Sequence, residues 1–349
     1  MKGEDAPGPI NPDAVQHLSK KKKSRVDPES IIRQIKEGDR VALARAITLL
    51  ESTKLEHQAM ASAIVNLALP HSGKAIRVGI TGTPGVGKST FIESTGLMVI
   101  ERGHRLAVLS IDPSSQVSKG SILGDKTRMA QLAKNEKAFI RPSPSGTTPG
   151  GVARKTRESI ILCEAAGFDV IFVETVGVGQ SETAVHSMVD FFLLLLQPGA
   201  GDELQGIKRG IVEMADLLVV NKADGAHAKK AIEAKREYAV ALHLYPPKES
   251  GWKPKVMTCS AIETTGLDEI WDIIKRYRDE MQANGYSESN RAIQDQYWFH
   301  ESIKADLHSM FFNNDAVKAN IPLLEKDIAE GKITPFDAAR QLLNKFQGK

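Results

Sequence analysis

Cysteine is scarce in this chain: its 349 residues hold two, Cys163 and Cys259, far apart in sequence. That excludes a disulfide framework and a C-x-x-C metal site, and it fits a reducing compartment. Clustered histidine is lacking as well. The nine histidines are scattered, so His104, His186 and His300 read as surface or packing residues rather than metal ligands. Long apolar runs are missing. The longest, Phe191-Phe192-Leu193-Leu194-Leu195-Leu196, is far too short to cross a bilayer. It reads as the central parallel strand of a sheet covered on both faces. The net charge of +3 is small and gives no electrostatic footprint for nucleic acid. The first residues carry no apolar signal core, and no internal repeat is visible.

What is present is a complete G-x-x-x-x-G-K-[ST] segment, Gly82-Thr83-Pro84-Gly85-Val86-Gly87-Lys88-Ser89. It follows Ala75-Ile76-Arg77-Val78-Gly79-Ile80-Thr81, which is apolar and β-branched enough to read as a buried strand. The loop must wrap backbone N–H groups around a β-phosphate, and its glycines permit the close approach. Lys88 reaches the β- and γ-phosphate oxygens as a point charge, and the Ser89 hydroxyl is placed to ligate Mg²⁺. Thr90 opens a stretch to Ile100 that reads as a helix whose N-terminal dipole faces the phosphates.

A second motif, Asn221-Lys222-Ala223-Asp224, follows the short apolar run Leu217-Leu218-Val219-Val220. Alone it reads as a polar turn ending a strand. After a phosphate loop it reads guanine: the Asp224 carboxylate accepts from the base N1–H and 2-amino group together, a donor pair adenine does not offer. The Lys222 stem packs over the base and Asn221 braces the phosphate loop. Lys255-Val256-Met257-Thr258 reads as another strand, after which Ser260-Ala261-Ile262 falls where a backbone amide meets the guanine oxygen. The ligands expected are therefore GTP and GDP.

Three acids lie between the motifs. Asp112 follows the strand-like Leu106-Ala107-Val108-Leu109-Ser110-Ile111, and Glu174 closes Val170-Ile171-Phe172-Val173. Ligands sit at the carboxyl ends of strands in doubly wound sheets, so both point toward the nucleotide and can hold Mg²⁺ directly or through water. The alternative for each is a polar strand cap. Glu174-Thr175-Val176-Gly177 has the form of a D-x-x-G switch with Glu in place of Asp, and the Gly177 amide would bind the γ-phosphate. Asp125 reads as a mobile Mg²⁺ or switch residue, or as an ordinary helix cap. Lys88, Asp112, Asp125, Glu174 and Gly177 are the candidate catalytic set. No glutamine directly follows Gly177, and Gln180 comes three residues on, so low intrinsic hydrolysis is expected.

The fold class expected is α/β: a phosphate-loop GTPase with a mostly parallel central sheet, flanked by N-terminal helices and a C-terminal helical arm. Residues 1–26 form a loose basic arm containing Lys20-Lys21-Lys22-Lys23, read as a solvated tail. Residues 27–69 are helical, with Asp27-Pro28-Glu29 as a cap-and-proline start. Residues 70–283 form the nucleotide domain. Residues 284–349 are helical, with Trp298, Phe299, Ile303 and Leu307 lining one face, either packed on the core or paired with another copy as a homodimer arm.

These segments resemble the G-protein chaperones of adenosylcobalamin-dependent methylmalonyl-CoA mutase, the MeaB/ArgK/MMAA family of SIMIBI GTPases. The resemblance rests on Gly38-Asp39-Arg40, the phosphate loop, Asp112-Pro113-Ser114-Ser115, residues 120–129, Arg141-Pro142-Ser143-Pro144-Ser145, Gly150-Gly151-Val152-Ala153, the run from Glu174 to Glu182, and Asn221 to Asp224. It implies a GTP-gated helper that admits intact adenosylcobalamin to the mutase, releases damaged cofactor and protects the enzyme. It implies a dimer through the C-terminal helices. It also implies an extra switch loop coupling nucleotide to mutase, here residues 197–208 with Gln197, Asp202, Gln205, Gly206 and Lys208. From the residues alone this is a long Gly-rich loop at a strand's carboxyl end. No motif evident here binds cobalamin directly, and neither nucleic acid nor membrane is an expected partner. A mitochondrial member would carry a transit peptide. The early acids Glu4 and Asp5 and the absence of an Arg-rich start make a bacterial cytoplasm the expected location.

Three rivals remain. A nickel-delivery GTPase would share the fold but needs clustered ligands. A nucleotide-dependent kinase linked to amino-acid transport would need a base, and Asp112 and Glu174 are better used on Mg²⁺. A pure binding module would hydrolyse nucleotide only incidentally; nucleotide-dependent partner affinity separates it from a switch.

Overall fold

The structure, a computed structural model, describes residues 27–52, 54–111, 129–142, 149–175, 181–199 and 209–348. The expected basic arm, residues 1–26, lies outside them. By internal contacts the chain divides into two compact units, Met1–Gly73 with Ile161–Gly167, and Lys74–Ile160 with Phe168–Lys349.

The first unit contains helices α1 (Pro28–Lys36), α2 (Arg40–Glu51) and α3 (Leu55–Ala68), ending in a 3-10 turn, Leu69–His71. The Asp27 carboxylate caps α1 by accepting from the backbone N–H of Glu29 and Ser30, with Pro28 in the first turn. Asp39 caps α2 through the N–H groups of Val41 and Ala42. Ile32, Ile35, Leu43, Ala46, Ile47, Leu50 and Ile64 are buried. Their helical spacing gives each helix one apolar face, and the three faces close on one another.

The second unit is built on a seven-stranded sheet of order β3-β2-β4-β1-β5-β6-β7. The strands are β1 (Ile76–Gly82), β2 (Leu106–Ile111), β3 (Ala138–Arg141), β4 (Val170–Thr175), β5 (Phe191–Leu196), β6 (Leu217–Val220) and β7 (Lys255–Thr258). Every pairing is parallel. The connecting helices are α4 (Lys88–Glu101), α5 (Ala130–Lys134), α6 (Pro149–Ala165, whose last residues fall in the first unit), α7 (Ser181–His186), α8 (Arg209–Met214), α9 (Ala228–Leu242) and α10 (Leu267–Ala283). Three more follow: α11 (Tyr286–Asn313), α12 (Asp315–Ala329) and α13 (Pro335–Phe346).

β1, β2, β4, β5 and β6 are buried along their whole length, as a sheet covered on both faces requires. The middle place belongs to β1, not to β5 as expected from its unbroken apolar run; β5 is its neighbour. Six apolar residues report burial of both faces, which any interior strand has, and carry no information on rank within the sheet. The order reverses around β1: the chain fills one side through β2, β3 and β4, then crosses to β5. The carboxyl ends of β1, β4 and β5 are level there, with Ile80 opposite Glu174 and Gly82 opposite Leu195. Such a reversal opens the crevice where doubly wound sheets bind ligands.

The C-terminal stripe is divided rather than continuous. Trp298 is buried and donates its indole N–H to the Ser187 carbonyl at 3.0 Å. Phe299, Ile303 and Leu307 are 63, 41 and 56 % exposed. Each residue advances about 100° around a helix, which turns Phe299 away from the face Trp298 buries. Among the described residues no helix is long and apolar enough to cross a membrane.

Both cysteines are buried. Burial, reinforced by the neighbouring Asp224 charge, pushes the Cys259 thiol up to about 12; burial with Glu164 beside it pushes Cys163 up as well. The reactive thiolate is therefore suppressed at both. Native protein at pH 8 is expected to resist iodoacetamide at both positions under conditions that fully alkylate the unfolded chain. Rapid labelling of either thiol in the native protein would contradict this packing.

Candidate nucleotide site

The phosphate loop turns directly out of β1. Gly82 has φ 154° and Gly87, which caps α4, has φ 92°. Neither place has room for a side chain: a Cβ on Gly82 would lie 2.5 Å from the Leu195 carbonyl oxygen, and one on Gly87 would lie 2.8 Å from Asn221 Nδ2. The loop is thus drawn against β5 on one side and the Asn221 amide on the other. Helix α4 begins at Lys88, two residues before the expected start, because the Gly87 carbonyl already accepts from the Phe91 N–H at 2.9 Å. Its first-turn N–H groups are the unpaired donors that receive anions. Ser89 and Thr90 follow Lys88 in that turn.

Lys88 folds over the loop, its ammonium donating to the Gly82 and Thr83 carbonyls at 2.8 and 3.2 Å. Burial pushes its pKa down, and the Glu174 and Glu182 charges oppose that shift. Both carboxylates are buried, 4 and 2 % exposed. Glu182 lies on α7. It ends the Glu174–Glu182 run on which the resemblance rests, but residue type and spacing give it no role, and the fold brings its charge toward Lys88.

At the other end Asn221 closes β6. Its Nδ2 donates to the Val86 carbonyl at 2.9 Å, and its Oδ1 accepts from the Ala261 N–H at 3.2 Å and the Cys259 thiol at 3.4 Å. Lys222 has φ 58°, a left-handed conformation that costs a non-glycine residue free energy. That turn carries its ammonium back to the Gly85 carbonyl at 2.7 Å. The Asp224 carboxylate is half-buried and accepts from the Ser260 hydroxyl at 2.8 Å through one oxygen. Ser260 also accepts from the Glu263 N–H at 3.2 Å, which sets the loop carrying Ala261 and Ile262. Ile262 is 75 % exposed.

The structure therefore joins the 82–90 loop, Glu174, the 221–224 turn and the 260–262 loop at one end of the sheet. Gln197 lies there too: its Nε2 donates to the Pro84 carbonyl at 3.4 Å. Asp112, Asp125, Gly177, Gln180, Asp202, Gln205, Gly206 and Lys208 lie outside the described residues.

Residues 43–316 match the model of the family described as methylmalonyl Co-A mutase-associated GTPase MeaB. The chain belongs to that family. It is similar to a putative GTPase of Caulobacter vibrioides, 53 % identical over 321 residues that cover 92 % of this chain and 98 % of the relative. It is also similar to the mouse methylmalonic aciduria type A homolog, mitochondrial, 44 % identical over 347 residues covering 97 and 83 % of the two chains. Among solved structures it resembles one described as a LAO/AO transport system kinase, with a TM-score of 0.72, 37 % identity, and coverage of 93 and 99 %. The protein is accordingly a phosphate-loop GTPase of the MeaB family, and the MeaB match spans both ends of the site.

An Asp224→Asn substitution exchanges one acceptor oxygen for a donor and leaves guanine N–H groups unpaired in a partly desolvated pocket. It is expected to weaken GTP binding by about 2 kcal/mol and to favour xanthosine triphosphate, which presents the complementary acceptor. Calorimetric titration with both nucleotides checks this; unchanged preference for GTP would contradict the base assignment.

Proposed function

We propose that this MeaB-family GTPase is a nucleotide-gated chaperone of an adenosylcobalamin-dependent methylmalonyl-CoA mutase, or of a related acyl-CoA mutase, controlling cofactor loading, protection and reactivation. The observation that carries the reading is the match of residues 43–316 to a family described by its association with that mutase. Similarity to the mouse methylmalonic aciduria type A homolog over nearly the whole chain supports it. A bacterial cytoplasm is the proposed location.

In this reading Gly82 to Thr90 hold the triphosphate, Lys88 neutralises it, and Asn221, Lys222, Asp224, Ser260, Ala261 and Ile262 select guanine. The residues present fit a magnesium ion: the Gly82 and Gly87 cradle admits no Cβ, Ser89 offers a hydroxyl in the first turn of α4, and Glu174 is a buried carboxylate at a strand's carboxyl end. Ser89 and Glu174, with Asp112 and Asp125, would hold it. Magnesium, when bound, supplies charge neutralisation to the β- and γ-phosphates. Gly177 would sense the γ-phosphate. Basal turnover is slow because no glutamine directly follows Gly177 to orient water. The loop of Gln197, Asp202, Gln205, Gly206 and Lys208 is the proposed coupling element to the mutase, and the Gln197 bond to Pro84 supports a link from that loop to the phosphates. The exposed Phe299, Ile303, Leu307 and Met310 are the proposed homodimer face, since a second copy would cover them.

Steady-state hydrolysis of GTP and of ATP, each with and without the purified mutase from the same cell, tests the reading. Slow GTP turnover that rises at least tenfold with mutase is expected, in the range partner stimulation reaches, with ATP inert. GTP turnover indifferent to the mutase would overturn the client, and ATP-dependent phosphate transfer to a protein would favour the kinase reading instead. Sedimentation of the full chain is expected at about twice 38.0 kDa; a monomer at micromolar concentration would overturn the dimer.

A further inference from the structure

The segment between α7 and β5, residues 187–190, is held at every residue by side chains of other elements. Trp298 Nε1 donates to the Ser187 carbonyl at 3.0 Å and Gln294 Nε2 to the Val189 carbonyl at 2.8 Å. Arg157 of α6 reaches the Met188 carbonyl at 3.5 Å with one nitrogen and pairs with Asp295 at 2.6 Å through another. Arg291 grips both oxygens of Asp190 at 2.8 and 2.7 Å and donates to the Ala75 carbonyl at 2.7 Å. Positions 291, 294, 295 and 298 share one face of α11. Gln294 and Trp298 are only 5 and 8 % exposed. Connecting segments usually give their carbonyls to water; here α11 takes those of Ser187 and Val189 and the Asp190 carboxylate, and Arg157, paired with α11 through Asp295, takes that of Met188.

What this face holds is the continuation of the expected switch. Helix α7 follows residues 176–180, which include Gly177, and it carries Glu182, whose charge bears on Lys88. It packs on β1 and β4. At Gly79 of β1 a Cβ would lie 2.9 Å from Val185 and 3.0 Å from Val189. Helix α7 and the segment after it therefore rest directly on the strand that leads into the phosphate loop, with no methyl group's worth of slack between them.

We propose that α11 is the holding element for the switch helix α7. Trp298 and Gln294, with Asp295 acting through Arg157, are positioning residues for GTP hydrolysis, and they carry a nucleotide-dependent shift of α7 into the C-terminal helix. The exposed apolar side chains Phe299, Ile303 and Leu307 lie between about a quarter and a half of a turn around the same helix. A displacement of residues 187–190 thus turns that surface as a rigid body. The inference rests on the GTPase assignment and is independent of the client.

The test uses the full chain with Trp298→Phe/Gln294→Leu, which keeps apolar bulk and removes both donors, and with Asp295→Asn. The Asp295 side chain is 70 % exposed, so the second variant alters no apolar packing and changes only the charge that faces Arg157. Basal kcat is expected to fall about tenfold in the double variant and about threefold in Asp295→Asn, with KM for GTP within twofold, the size of effect small misplacements produce. Hydrogen exchange in residues 181–190 should quicken in both. In the unsubstituted protein, residues 291–298 should exchange more slowly with a non-hydrolysable GTP analogue than with GDP, and the double variant should lose that difference. Unchanged kcat and exchange in Asp295→Asn, or identical α11 exchange with the two nucleotides, would overturn the proposal. Because turnover is measured without mutase, failure of the chaperone reading leaves this test intact.

Discussion

The Asn221 side chain is the bond on which the site depends. One buried amide holds the phosphate loop at Val86 with its nitrogen and the guanine-side loop at Ala261 and Cys259 with its oxygen. At 2 % exposure it has no water to fall back on, so losing any partner costs the desolvation of a buried polar group. The phosphate end and the base end are therefore one body. Gly87 must be glycine not only for its dihedral but because a Cβ would occupy the place of that amide. In the proposed reading, base and triphosphate would be held at a fixed separation, and selectivity at Asp224 would become selectivity of the whole site.

Around that body the parallel sheet supplies the frame and two elements supply the response. β1 leads into the loop from the middle of the sheet, flanked by β4 and β5 at the same level. Glu174 comes from the end of β4, and Glu182 from the helix that follows it. Both charges oppose the cost of burying the Lys88 ammonium, which otherwise rests on the loop's own carbonyls. Nucleotide phosphate would replace those carbonyls, so binding shifts the electrostatic balance at α7 as well as at the loop. Helix α11 then ties residues 187–190 to the C-terminal helices through side-chain bonds rather than through the chain.

The legible parts were those where local chemistry is decisive. The phosphate loop and the 221–224 turn announce themselves by residue type and spacing. β2, β5, β6 and β7 run over the expected residues because β-branched and apolar stretches end sharply at polar ones. The cap at Asp27-Pro28 is equally local. The rest depends on contacts distant in sequence. That β1 rather than β5 is central follows from pairing order, to which composition is blind. Glu182 bears on Lys88 because α7 folds against β1. Apolar character alone puts Trp298 and Phe299 on one face, whereas a hydrogen bond to Ser187 and the helical turn separate them.

The two ends held by Asn221 are proposed to form one guanine-selective site. Calorimetric titration of the full chain with non-hydrolysable GTP and ATP analogues, at matched magnesium and salt, tests it most directly. The expected affinity for the guanine nucleotide is at least about a hundredfold above that for the adenine one, the penalty when buried polar groups lose their partners. Equal affinities would contradict it.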